Sequence, residues 1–107
     1  MSDVVIAGDD PNGLGEAFER HGAAVRYAER TANRPALEAA GIADADVFVV
    51  TDAGLATSIT VALEENPTLR IVVYASDSVP EFIKGQAGHI VDPALLDPDT
   101  VAEEILR

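Results

Sequence analysis

Acidic residues stand just past nearly every short apolar run of this chain, and they are the side chains with the most chemistry to offer. Asp9 and Asp10 follow Val4-Val5-Ile6-Ala7, Glu29 follows Ala24-Val25-Arg26-Tyr27, and Asp52 follows Val47-Phe48-Val49-Val50. Asp77 follows the run from Leu69 to Tyr74, and Asp92 follows His89-Ile90-Val91. Carboxylates brought together from separate loops are oxygen ligands of the kind Mg²⁺ takes, which makes Asp9, Asp10 and Asp52 a candidate metal set. Asp9 and Asp10 would divide acid and base roles only if buried side by side, and neighbours in a turn usually point apart. Thr51, Thr57, Ser58 and Ser76 supply hydroxyls, but nothing in sequence identifies a base beside any of them, so no catalytic residue is assigned. His21 and His89 have no metal-ligand spacing and read as structural histidines. The chain has no cysteine, which excludes disulfides, thiolate metal sites and a cysteine nucleophile.

The first turn carries the one motif candidate. A dinucleotide fingerprint requires Gly-x-Gly-x-x-Gly, with the central glycine letting backbone approach the pyrophosphate. Gly8, Asp10 and Gly13 occupy those three positions here. The central aspartate and its neighbour Asp9 put negative charge where the cofactor carries its own, at a helix amino end that normally attracts anions. Asp10 followed by Pro11 reads better as a helix cap.

These acids need a scaffold, and the apolar runs describe one. Runs of four to six β-branched and apolar residues without alternation suit strands covered on both faces, as in a parallel sheet with helical crossovers. Helix signals fall between the runs. The first lies between Asp10 and Gly22, with Leu14, Phe18 and His21 on one face. A second is capped by Asn33, carries Leu37 and Ala40, and stops at Gly41. A third, from about Gly54 to Glu65, is broken by Asn66-Pro67. A fourth opens at Pro80, and the last is capped by Asp97-Pro98, with Val101, Ile105 and Leu106 inward. Five βα units in one domain spanning 1–107 predict a three-layer α/β fold, Rossmann-like or flavodoxin-like, with strand order 2-1-3-4-5. Ligands of such sheets bind beyond the carboxyl ends of the strands, where the order reverses. Gly8 to Gly13, Thr51 to Gly54 and Ser76-Asp77 would face that crevice.

Charge narrows the partners. Nineteen acids against seven bases give a net −12, and Lys84 is the only lysine. Nucleic acid is not expected as a partner, because neutralising phosphates needs clustered Lys and Arg. An anionic membrane surface is disfavoured on the same ground. No apolar stretch approaches the roughly 18 residues of a membrane span and no basic leader is visible, so a cytoplasmic protein is expected. The acid-rich, nearly lysine-free composition resembles that of cytoplasmic proteins from salt-accumulating archaea, which implies a halophilic protein whose self-repulsion salt would screen.

Two family resemblances follow. Ala36 to Asp46 (Ala-Leu-Glu-Ala-Ala-Gly-Ile-Ala-Asp-Ala-Asp) leading into Val47-Phe48-Val49-Val50-Thr51 resembles the nucleotide-binding (TrkA-N/RCK-N) domain of potassium-uptake and potassium-channel regulators. Asn66 to Val73 and Gly88 to Pro93 are similar to later strand entries of that family, and the likeness covers roughly residues 3 to 96. It implies weak binding of NAD(H) or an adenine nucleotide, with Gly8, Asp10, Gly13, Glu29 and Thr51 as the cofactor-binding set and Glu29 in the place of the family's ribose-binding acid. This chain departs from the family at Asp10, in lacking one strand–helix unit between Gly22 and Leu37, and in having Tyr74 or Ala75 where the family has an arginine.

The acidic pair after the first strand, Asp52 after the third and Ser76 after the fourth also resemble a response-regulator receiver. In receivers such acids hold Mg²⁺, while a hydroxyl and a lysine contact the phosphoryl group. The lysine position after the fifth strand holds Asp92 before Pro93, so the resemblance implies a metal-binding pseudo-receiver rather than an ordinary phosphoacceptor. The leading expectation is a non-catalytic regulatory or ligand- and protein-interaction module with a degenerate dinucleotide site, its partner another protein or a second copy. The alternatives are the divalent-metal pseudo-receiver and an accessory protein of nucleotide metabolism.

Overall fold

A computed structural model describes residues 2–10, 12–29, 31–76 and 81–107. Pro11, Asp77 and Pro80, singled out above, lie outside the described residues. Strands β1 (Asp3–Ala7), β2 (Ala24–Ala28), β3 (Val47–Val50), β4 (Arg70–Tyr74) and β5 (His89–Val91) form one sheet in the order β2-β1-β3-β4-β5. Every neighbouring pair is parallel. Helices α1 (Leu14–Arg20), α2 (Arg34–Ala39), α3 (Thr57–Glu65), α4 (Glu81–Lys84) and α5 (Pro98–Leu106) alternate with the strands. This is the five-stranded α/β architecture that the apolar runs predict.

The absence of alternation in the strands has a direct cause. All four residues of β3 are buried because both faces of the sheet are covered. Phe48 and Val50 share one layer with Val5, Ile71, Val73, Leu37 and Ile59. Val47 and Val49 share the other with Val4, Ile6, Val72, Leu14, Phe18, Val101 and Ile105. At roughly 25 cal/mol per Å² of apolar surface removed from water, these two layers are the main favourable term of folding.

Helix ends agree with the sequence at two caps and differ at two starts. Asn33 Oδ1 accepts from the Ala36 amide at 3.1 Å, and Asp97 Oδ1 accepts from the Thr100 amide at 2.8 Å, so both are caps. Thr100, through its hydroxyl first and its amide second, also holds the Asp97 carboxyl below the usual carboxylate range. The first helix, however, does not begin beside Asp10. It starts at Leu14, with Gly13 preceding it at φ 75°. A short 3₁₀ turn, Ala53–Leu55, precedes α3, so that helix begins at Thr57 rather than Gly54. Asn66 ends α3 and is itself buried, its Nδ2 donating to the carbonyls of Ile42 at 3.2 Å and Ala45 at 2.9 Å.

Candidate functional site

The carboxyl ends of β1, β3 and β4 enclose a crevice of about 170 Å³, lined by Asp10, Asn12, Thr51, Tyr74, Ser76 and Pro93. It lies at the reversal of strand order, between β1 and β3, where the topology places it. Its walls are held by the chain's own hydrogen bonds. Thr51 Oγ1 donates to the carbonyl of Asp9, with the Ala7 carbonyl 3.3 Å away. Gly8, at φ 104°, passes so close that a Cβ there would collide with Thr51 Oγ1. Glycine is required at this position both for its backbone conformation and for the space.

Asp10 crosses the loop to reach the helix from a distance. Its Oδ1 accepts from the Leu14 amide at 2.8 Å and its Oδ2 from the Gly15 amide at 2.7 Å. Tyr27, from β2, donates its hydroxyl to the same Oδ2 at 3.2 Å. Burial first, and then the charge of Asp10, raise the Tyr27 pKa, which keeps the phenol a donor. A Cβ on Gly15 would collide with that hydroxyl, so the helix's first turn is left bare to admit it. The carboxylate thus occupies the α1 amino end, where the fingerprint would have seated a phosphate.

The other acids are separate. Asp52 is exposed, and its Oδ1 accepts from the Gly54 amide at 2.8 Å, within its own turn. Asp92 likewise accepts from the Ala94 amide at 2.9 Å. Asp9 is exposed. Among the described residues, no three His, Asp or Glu side chains are grouped so as to hold a metal ion. Glu29 is not at the crevice: it lines a different cavity, of about 300 Å³, with Arg26, Tyr27 and Ala36. The structure therefore brings Asp10 and Thr51 to one crevice, puts Gly8 and Gly13 in its turns, and leaves Glu29 elsewhere. His21 ends α1 and His89 begins β5, at opposite ends of their elements from the crevice. Ser58 is buried and donates to the Ala32 carbonyl at 3.0 Å, a structural role.

Tyr27 and Tyr74 are the site residues that the sequence reading missed. Tyr74 donates to the Leu96 carbonyl at 2.8 Å and ties the β5–α5 loop to the crevice wall. Its pKa is raised, by burial first and then by Asp97, Asp10 and Asp92. The available signal for Tyr27 was Gly15, a glycine in the first turn of a helix with no turn of its own to make.

A family pattern described as "Family of unknown function (DUF7126)" matches residues 4–105. The chain belongs to this family. No curated protein matches the DUF7126 chain. Solved structures do. An orphan response regulator of Helicobacter pylori superposes with a TM-score of 0.75 at 12% identity, over 98% of this chain and 93% of that one. A response regulator from Thermotoga maritima gives 0.71 at 17% identity, over 99% and 96%. An atypical orphan response regulator, described as having a phosphorylation-independent regulatory mechanism, gives 0.72 at 13% identity, over 96% and 91%. At these identities the likeness shows the fold, a flavodoxin-like α/β sheet.

These neighbours correct the leading expectation. The DUF7126 fold is similar to receivers and not to the TrkA-N/RCK-N nucleotide-binding domain of potassium regulators. The leading reading, a module with a degenerate dinucleotide site, falls with it. The physical reasons are visible: Asp10 fills the phosphate position, Glu29 lies apart, and the crevice is smaller than the roughly 300 Å³ at the low end of small-molecule pockets. The segment from Ala36 to Thr51 resembles that family because a helix, a glycine stop and a buried strand recur in any doubly wound sheet. No helix among the described residues is long and apolar enough to cross a membrane.

Proposed function

We propose that the chain is a single-domain, cytoplasmic pseudo-receiver, an interaction module that works without phosphoryl transfer. One observation carries this reading: the Asp10 carboxylate is bound by two backbone amides and a tyrosine hydroxyl of its own chain. A cation at Asp9, Asp10 and Asp52 would compete with those donors and with the Gly54 amide on Asp52. Asp92 and Pro93 follow β5, so a negative charge stands where a transferred phosphoryl group would need a positive one. The fold shared with orphan response regulators, one of them described as phosphorylation-independent, agrees with this reading.

Incubation with acetyl phosphate and Mg²⁺, followed by intact-mass measurement, tests the proposal. The expected result is an unmodified mass, and amides of Asp9, Asp10 and Asp52 that do not move on addition of millimolar Mg²⁺. A phosphate adduct on Asp52 would overturn it.

A further inference from the structure

We infer that the β5 edge of the sheet is a docking site for a cationic, extended polypeptide segment that adds to β5 as a further strand. The inference deepens the reading of the chain as an interaction module and rests on it. Among the described residues β5 is the last strand of the sheet and pairs with β4 alone, so its outer backbone groups face outward. Its three residues, His89-Ile90-Val91, include no lysine or proline to discourage pairing.

Apolar surface flanks this edge on both sides. In register, Ile90 lies beside Val73, on the α3 face of the sheet, yet it remains 45% exposed. On the opposite face, His89, Val91, Leu96, Val101 and Ile105 line a cavity of about 170 Å³. Leu95 is 78% exposed and Leu96 40%. These leucines are held in place: both amides donate to the Asp92 carbonyl, at 2.9 and 3.2 Å, and Tyr74 binds the Leu96 carbonyl. An ordered apolar surface of this kind costs little entropy to bind.

Charge selects the occupant. Between His89 and Arg107 the chain carries five acids, Asp92, Asp97, Asp99, Glu103 and Glu104, against one arginine, and of the five Asp99 is paired with Arg20 of α1. Arg107 is already paired with Glu103 and Glu104. A second copy would bring the same acids and a net −12 to the contact. A segment of alternating basic and apolar residues satisfies both features, its backbone pairing with β5, its apolar side chains meeting Ile90 or Leu96, and its cations facing the acids.

Two synthetic peptides serve as probes, one of alternating lysine and valine and one of alternating glutamate and valine, titrated into the labelled protein at low salt. The expected result is that the lysine peptide shifts the amides of 89–91, 95 and 96, weakens as salt is added, and loses roughly tenfold in affinity against Ile90→Glu or Leu95→Glu. The glutamate peptide should shift none of them. Both substituted side chains are exposed, so unchanged melting temperatures would confirm intact folding. Absence of binding, shifts spread over the acidic surface at large, or binding indifferent to both substitutions would overturn the inference. So would a dimer in sedimentation that Leu95→Glu abolishes, since the occupant would then be a second copy. An Asp52 phosphate adduct in the earlier assay overturns the pseudo-receiver reading while the peptide result stands, so the two failures are distinguishable.

Discussion

The two edges of the sheet both expose a large apolar side chain, and they use it in opposite ways. On the β2 side, Tyr27 is 50% exposed, but its hydroxyl is bound to Asp10 over the bare surface of Gly15. That exposed ring serves the interior: its hydroxyl helps hold the carboxylate that lines the crevice. On the β5 side, Ile90 and Leu95 are similarly or more exposed and carry no polar atom with which to hold anything in the chain. Solvent exposure alone therefore does not identify an interaction surface. What the exposed residue does for its own molecule decides the matter.

Substitutions should separate a locked corner from an open margin. The largest effect is expected at Gly8→Ala, where a left-handed backbone and the collision with Thr51 combine to destabilise by about 2 kcal/mol or more. Denaturant unfolding would show this, and an unchanged midpoint would mean that the corner is not locked. Asp10→Ala removes the acceptor of two helix amides and should lose about 1–2 kcal/mol. Tyr27→Phe should lose about 0.5–1 kcal/mol, because its bond is half in solvent. The two losses should be less than additive in the double variant, and strict additivity would break the link between them.

A smaller effect, with a size that depends on pH, is expected on α2, beside the β2 edge. Glu65 holds Glu38 above the usual carboxylate range, by hydrogen bonding to its protonated form first and by repulsion of its charge second. A raised folded-state pKa gives stability that is present below the unfolded value and lost as pH rises through the folded one. Glu38→Gln should therefore raise the melting temperature at neutral pH, with the advantage vanishing near pH 4. A variant that melts lower at neutral pH would refute the assignment. The smallest effect belongs to the open margin: Leu95→Glu should change stability by no more than about 0.5 kcal/mol in thermal melts. A large loss there would mean that Leu95 is a structural residue, and the contrast between the edges would collapse.

The strands, their order and two of the helix caps were legible in the sequence because they rest on local or one-dimensional causes. Val47 to Val50 reads as a doubly covered strand because burial on both faces leaves no polar position. Asn33 and Asp97 read as caps because a cap acts within three residues. The crevice was legible only as a place. Asp10 reads in sequence as the cap of a helix beginning at Pro11, whereas it binds amides four and five positions on and a hydroxyl seventeen away. Glu29 and Asp10 looked like members of one site and line different cavities.

By itself the sequence determined the parallel α/β sheet, the position of its switch point and the acidity of its rim, since periodicity, chain direction and composition settle these. Tertiary structure decided which carboxylates are occupied by the chain's own donors, and which exposed apolar residues are left without an internal role. The physical reason is that hydrogen-bond satisfaction belongs to a pair of groups, not to a residue. The partner of Asp10 on β2 exists only once the strands are side by side.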